Sequence, residues 1–329
     1  MIRKATIAII LAALCLCAGC CAEEPIDDVT RTLDSLEKID DYPLYTMHYY
    51  GPYPGDSQFG AGDRGDRPDW ACSLFAALGD PQNELYGRNF DWEYSPALLL
   101  FAHPPDGYAS VSMVDLAYLI DPDQVADLTA LPVQDRAGLL DAPYLPFDGM
   151  NEYGLAVGMA AVPENTYPHD PDAETIGSLG IIREILDHAR DVDEAVALLQ
   201  SHNISFSGGP PIHYLIADAS GRAVLVELFQ GEYVVIPNQA PYHLATNHYR
   251  ALVELGLPQP CRRYAIIDQQ LEETEGQLTA QEALDLLSTV SQSSTEWSIV
   301  YEMHTGAVNV VMDRQYDTIH TLDLPLADD

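Results

Sequence analysis

Asp69-Trp70-Ala71-Cys72-Ser73-Leu74-Phe75, followed after a turn by Gly87-Arg88-Asn89-Phe90-Asp91-Trp92-Glu93-Tyr94-Ser95, is the stretch that decides the fold of this chain. Its apolar runs predict strands over Cys72–Leu78 and Glu84–Arg88, joined by a turn at Asp80–Asn83. Such a hairpin sets Arg88 and Asp91 beside the cysteine. A thiol is largely inert at its free pKa of about 8.5 and becomes nucleophilic when a nearby cation lowers that value. Arg88 is the candidate cation. Buried structural cysteines are frequent as well, so the residues alone leave Cys72 open between chemistry and packing.

Working outward, the pattern is mixed. Upstream, Ile26, Val29, Leu33, Leu36 and Ile39 recur at helical spacing, which predicts a helix over Ile26–Asp41; Leu44–Tyr50 alternates like a strand. Gly51–Asp69 is rich in Gly, Pro, Asp and Arg without apolar period and reads as an exposed linker. Downstream, strands are predicted at Leu98–His103 and Gly154–Ala161, then a long helical stretch over Ala173–Ser201, broken near Asp191-Val192-Asp193. Four strands come next at His213–Asp218, Ala223–Leu228, Tyr233–Ile236 and His243–Thr246, with turns at Gly221 and Gly231. Helices at Cys261–Glu273 and Thr279–Val290 precede strands at Trp297–Met303 and Ala307–Met312. Strands in runs, with helices grouped between them, predict packed sheets covered by helices rather than strict βαβ alternation.

The chain has 329 residues, 47% of them apolar and 20% charged, enough for a sizeable core in one large domain or two small ones. Fifteen Lys+Arg stand against 51 Asp+Glu, a net charge of −36. Lys4 and Lys38 are the only lysines. A surface of that sign repels phosphate backbones, which excludes a nucleic-acid partner.

Arg3 and Lys4 open the chain, an apolar run begins at Ala5, and Ala18-Gly19-Cys20-Cys21 ends it. This predicts a signal peptide over residues 1–22 with a lipoprotein-like cleavage box and lipidation at Cys20. The alternative is an uncleaved anchor helix, at about 18 residues near the lower limit for spanning a bilayer. Either exports the rest of the chain, to the extracellular face or periplasm, and ties it to a membrane. Of six cysteines, only Cys72 and Cys261 lie beyond the leader, which leaves room for one disulfide but no disulfide scaffold.

Several motifs fail. There is no Gly-x-Ser-x-Gly and no Walker loop. Gly60, Gly62 and Gly65 spell Gly-x-Gly-x-x-Gly inside the polar linker, with no strand before and no helix after. No His-x-x-x-His pair carries a Glu, and Asp170-Pro171-Asp172 lacks the glycine of a calcium loop, reading instead as a helix cap before Ile176. No metal and no cofactor are expected.

Four blocks in order resemble the choloylglycine hydrolase and penicillin V acylase family of N-terminal-nucleophile hydrolases, which cleave linear amides. They are Cys72 with Gly87-Arg88-Asn89-x-Asp91-x-Glu93-Tyr94-Ser95; Asp148-Gly149-Met150-Asn151-Glu152-x-Gly154-Leu155; Leu244-Ala245-Thr246-Asn247; and Arg262-Arg263-Tyr264. The resemblance covers most of the chain after Cys72. It implies an α+β fold of the αββα type, two mainly antiparallel sheets between helical layers, as a catalytic domain over residues 72–329. Residues 23–71 then form a leader, similar to the retained leader of the acid ceramidase-like branch, or a discarded propeptide.

The resemblance also implies a mechanism. The Ala71–Cys72 bond is broken, and the freed α-amine, with an ordinary pKa of about 7.7–8.0, serves as its own general base. The thiolate attacks the carbonyl of an N-acyl amide and forms an acyl-enzyme. Asp91 holds the amine, Arg88 the thiolate, Asn247 donates to the oxyanion, and Arg263 completes the charge balance. Where bile-salt relatives place a second asparagine at the oxyanion, this chain has Ala161, whose backbone N–H is the remaining candidate. Trp92 and Tyr94 are candidates to line the acyl pocket. Asn151 and Glu152 read as framework residues. His248, beside Asn247, offers a Cys–His dyad that an N-terminal nucleophile does not need. Two other readings stay open: an acyltransferase, and a non-catalytic surface lipoprotein that keeps the fold for binding.

Overall fold

The computed structural model describes residues 27–54, 71–92, 95–120, 127–254, 256 and 261–327. The signal segment with Cys20, most of the linker, and Tyr94 lie outside them. The described chain begins with α1 (Asp28–Asp34), β1 (Glu37–Asp40) and β2 (Leu44–Tyr50). After the linker come β3 (Ala71–Ala77), β4 (Leu85–Asp91), β5 (Ala97–His103) and β6 (Ser110–Asp115), then β7 (Pro146–Asn151) and β8 (Ala156–Ala161). Next are β9 (Thr175–Gly177), α2 (Gly180–His188), α3 (Val192–Gln200) and β10 (Asn203–Ser205). The remaining strands are β11 (Ile212–Ala217), β12 (Ala223–Phe229), β13 (Glu232–Pro237) and β14 (Tyr242–Ala245), followed by α4 (Arg250–Glu254), α5 (Arg262–Glu273), α6 (Ala280–Thr289), β15 (Thr295–Glu302), β16 (Ala307–Met312) and β17 (His320–Asp323).

Nine strands form one sheet in the order β1-β2-β5-β6-β7-β8-β11-β12-β13, and six form a second in the order β14-β3-β4-β15-β16-β17. Neighbours run antiparallel in both, except that β2 lies parallel to β5, with Leu44 opposite Ala97 and Tyr50 opposite His103. Helices α2 and α3 cover the outside of the nine-stranded sheet, and α5 and α6 cover the six-stranded one. The result is the expected four-layer sandwich.

Strand β3 shows how the sequence produces it. Side chains alternate across a strand. Cys72, Leu74 and Ala76 face the core between the sheets, while Phe75 and Ala77 face the core under α5 and α6. Both faces are buried, so the strand reads as an unbroken apolar run. Leu98, Leu99 and Leu100 of β5 are likewise wholly buried, each contributing roughly 1.5–3 kcal/mol. Gly87 lies opposite Phe75. A Cβ there would sit 2.5 Å from the Phe75 ring, so the motif glycine is a packing requirement.

The leader is part of this architecture. Leu44 of β2 reaches the core between the sheets, and Tyr45, Met47 and Tyr49 pack with Leu98, Leu100 and Leu116 in a separate cluster.

Three expectations change. The helix predicted over Ile26–Asp41 ends at Asp34, because Glu37–Asp40 pairs with β2 as strand β1. The helix predicted from Ala173 begins only at Gly180, because Thr175–Gly177 pairs with β10. Ile176 is therefore a strand residue, and Asp170 accepts from its neighbour Asp172 N at 2.9 Å in a turn rather than capping a helix. The break near Asp191 is itself a cap: its side chain accepts from Glu194 N at 3.0 Å to start α3. Cys72 and Cys261 are both free, so the possible disulfide does not form.

Candidate active site

Cys72 is the second residue of β3 and is wholly buried. Three groups from three distant parts of the chain hold three of its atoms. Its N–H donates to Asn247 Oδ1 at 2.9 Å. Arg88 Nη2 lies 3.5 Å from Sγ. Arg263 Nη1 donates to its carbonyl oxygen, and at 2.9 Å to Ser73 Oγ.

Each partner is placed by its own element. Arg88 sits on β4 opposite Leu74, on the same face of the sheet as Cys72, and its guanidinium reaches across the inter-sheet core. There Nη1 donates to Phe147 O at 2.6 Å and to Asp148 Oδ2 at 2.5 Å, and Tyr301 OH donates to the other oxygen of Asp148 at 2.5 Å. Arg88 and Asp148 are both fully buried, an arrangement that is tolerable only because they are paired and hydrogen-bonded. Burial opposes the charge on Arg88, but Asp148 and the Cys72 thiol hold its pKa above the usual arginine value.

Asn247 comes two residues after β14. Its Oδ1 also accepts from Arg263 Nη2 at 2.8 Å, and its Nδ2 donates to Ala161 O at 2.9 Å. The partners fix this orientation: Cys72 N–H and Arg263 only donate, and the Ala161 carbonyl only accepts. In the uncut chain, then, Asn247 offers Cys72 its oxygen, and Ala161 meets Asn247 through its carbonyl. Asp91, at the end of β4, accepts from Thr295 Oγ1 and Gln292 Nε2, each at 2.5 Å, and stands 3.8 Å from Arg263 Nη1. Burial pushes its pKa up, against those two hydrogen bonds and the two arginines. Cys72 N–H donates to Asn247 Oδ1 rather than to Asp91.

Burial also raises the Cys72 thiol above its ordinary value; Arg88 pulls the other way and is outweighed. The lowering expected from Arg88 is thus present but masked while the residue is enclosed.

Trp92 is buried in the inter-sheet core at the end of β4. His248 bonds Thr246 Oγ1 at 3.0 Å, and burial lowers its pKa to about 4. Asn151 is framework: its Nδ2 donates to Leu186 O and Ala189 O at the end of α2. A cavity of about 280 Å³ opens beside Arg263 and Gln292, lined further by Arg262, Ile266 and Thr289–Ser291. Among the described residues, no three His, Cys, Asp or Glu side chains gather as metal ligands.

Gln292, Thr295 and Ser73 carry no sequence signal. Asp148 does: it heads the second of the four blocks, though nothing in the spacing pairs it with Arg88.

Comparison with known proteins bears on the family and the fold. A family described as acyl-coenzyme A:6-aminopenicillanic acid acyl-transferase matches residues 146–322, which include Asp148, Ala161, Asn247 and Arg263. Penicillin V acylase of Pectobacterium atrosepticum is 26% identical over 193 residues, 54% of this chain and 49% of that protein. The chain thus matches about half the length of that curated relative. Among solved structures, a mutant conjugated bile acid hydrolase from Clostridium perfringens superposes with a TM-score of 0.57 at 17% identity, over 77% of this chain and 92% of that one. Penicillin V acylase from Agrobacterium tumefaciens gives 0.54 at 17% identity, over 77% and 86%. These likenesses establish the N-terminal-nucleophile hydrolase fold.

Proposed function

Since the chain belongs to the acyl-coenzyme A:6-aminopenicillanic acid acyl-transferase family, we propose that it is an exported cysteine amidohydrolase that cleaves the linear amide bond of small N-acyl compounds through an acyl-enzyme on Cys72. The observation that carries this reading is the separate holding of Cys72 N, Sγ and carbonyl oxygen by Asn247, Arg88 and Arg263.

Breaking the Ala71–Cys72 bond turns the Cys72 N–H into an amine that Asn247 Oδ1 already addresses. Once the bond is cut, Ala71 is free to move off Cys72, so the thiol loses part of the burial that raises its pKa and keeps the Arg88 guanidinium that lowers it. The amine takes the thiol proton, and sulfur attacks the amide carbonyl. The oxyanion collapses as the C–N bond breaks, and the amine half leaves with the proton held on Cys72 N. Asn247 Nδ2, turned from the Ala161 carbonyl toward the substrate oxygen, is the oxyanion donor, and one such donor is worth about 10²–10³ in rate. Asp91, fixed by Thr295 and Gln292, sets the charge around Arg263 and the amine. Water then hydrolyses the thioester. With an amine in place of water the same intermediate gives acyl transfer, the second reading, which the description of the matching family favours.

The packing of β2 into the inter-sheet core and the separate cluster with Leu98 and Leu100 supports a leader that stays bound after the cut, making residues 23–71 and 72–329 two pieces of one folded unit. Export and anchoring at Cys20 belong to the same reading; fatty-acid labelling that survives Cys20→Ala would count against that anchor.

The test is turnover of N-acyl amino acids, bile-salt conjugates and penicillin V by purified wild type beside Cys72→Ala. Hydrolysis by the first and none by the second is expected. Equal turnover would overturn the proposal; binding without turnover in both would favour the non-catalytic lipoprotein.

A further inference from the structure

We infer that the buried His213–Glu227 ion pair is a positioning device for Asn247, and that it works only while His213 is an imidazolium. The inference rests on the reading above, in which Asn247 serves Cys72.

His213 on β11 and Glu227 on β12 are both wholly buried. His213 Nε2 lies 2.8 Å from the carbonyl oxygen of Thr246, the residue immediately before Asn247. A carbonyl only accepts, so Nε2 carries a hydrogen. His213 Nδ1 lies 3.2 Å from Glu227 Oε1. That same oxygen accepts from Arg250 N at 2.7 Å, and Oε2 accepts from Ala251 N at 2.9 Å. Burial works against an ionised Glu227, but His213 and the two N–H groups outweigh it and hold the carboxyl below its ordinary range. A carboxylate also only accepts, so Nδ1 carries a hydrogen too. Both ring nitrogens are donors, which is the imidazolium form.

The placement of these bonds gives the pair its role. It grips the chain at the carbonyl just before Asn247 and at the N–H groups three and four residues after it. Asn247 therefore leaves β14 on a short bow pinned at both ends, with Oδ1 on Cys72 N and Nδ2 on Ala161 O. His243 of β14 bonds Ile236 O, and burial lowers its pKa to about 4. Burial, with His213 and Arg250 nearby, takes His248 to about 4 as well. Arg250 lies over the Tyr264 ring, and Arg263 is committed to Cys72 and Asn247. Glu227 is the carboxylate that faces the His213 ring. Loss of the His213 proton sets an acceptor against an acceptor, so either Thr246 O or Glu227 lets go and the bow shifts.

The experiment measures kcat and KM for the full chain as wild type, His213→Gln, Asn247→Ala and the double variant. Acting through Asn247, His213→Gln lowers kcat at least about tenfold with KM nearly unchanged, and costs nothing further in the Asn247→Ala background. Losses that multiply in the double variant signify a general structural role and overturn the inference. Glu227→Gln, which keeps the shape but not the charge, replaces His213→Gln if that protein does not fold. A readout without turnover separates this inference from the reading it rests on. In the Cys72→Ala protein, nitrogen NMR should find both His213 ring nitrogens protonated at neutral pH. The Asn247 side-chain amide resonance should move with His213→Gln. A neutral His213, or an Asn247 resonance that ignores that substitution, overturns the inference. Full turnover by Asn247→Ala, beside the expected NMR signature, strikes the catalytic reading and leaves the positioning one standing.

Discussion

The two strands on either side of the linker are held in opposite ways. Strand β2, before it, is fixed by packing: a parallel ladder to β5 along its length and apolar side chains in two cores. Strand β3, after it, shares that packing but also has polar groups on its second residue at N, Sγ and O. Packing is indifferent to whether a distant peptide bond is intact. Polar contacts on the atoms flanking a bond are not. The difference teaches that β2 is held by packing alone in its cores while β3 is also held atom by atom at Cys72, as the proposed cut and retained leader require, and variants on each side can break or sharpen that contrast.

On the β3 side the largest effect after loss of Cys72 itself is expected from Asn247→Ala. It should fold and lose turnover by about 10²–10³. A loss under tenfold in kcat would remove Asn247 from the oxyanion. On the β2 side, Met47 is wholly buried, and Met47→Ala should cost about 2–5 kcal/mol in chemical denaturation while KM stays near wild type. If Met47→Ala leaves stability untouched, the leader is not integral and the contrast fails.

The smallest effect concerns the joint between the two regions. Leader residue Tyr42 donates to Glu296 Oε2 at 2.8 Å, and Glu296 is the residue after Thr295, which holds Asp91. Burial raises the Glu296 pKa from 4.5 to about 7, against hydrogen bonds from Tyr42 and Ser95 N. The unfolded chain ionises this group near 4.5 and the folded chain near 7, so its ionisation favours unfolding across that window. Stability should fall as pH rises from about 4.5 to about 7, by a few kcal/mol at most, and level off above. Glu296→Gln should flatten that slope; an unchanged slope would assign it to other carboxyls.

Much of this architecture is legible in the sequence because most of its strands are two-sided and apolar. Strands β3, β5, β11, β12 and β16, and helices α5 and α6, fall close to where periodicity puts them. Strand β7 escapes because Pro146, Asp148 and Gly149 interrupt its buried Phe147 and Met150, and Asp148, the carboxylate that neutralises Arg88, is a buried charge that breaks the apolar pattern. Strand β1 escapes because pairing with β2 overrides a helical spacing that continues through Ile39. In the site, Cys72, Arg88, Asp91, Asn247 and Arg263 come together as the four blocks imply. Gln292 and Thr295 lie 201 and 204 residues from Asp91 and carry no motif; only the hydrogen bonds reveal them. The orientation of Asn247 is unreadable for another reason. It depends on Cys72 N being a peptide donor, which is a property of the uncut bond rather than of any residue.

The Ala71–Cys72 bond carries the central claim. Intact mass and amino-terminal sequencing of purified, active protein measure it directly. Two amino termini in one folded particle are predicted, one of them Cys72, with the leader co-purifying until the protein is denatured. Active protein in which every chain retains an uncut Ala71–Cys72 bond would contradict the claim.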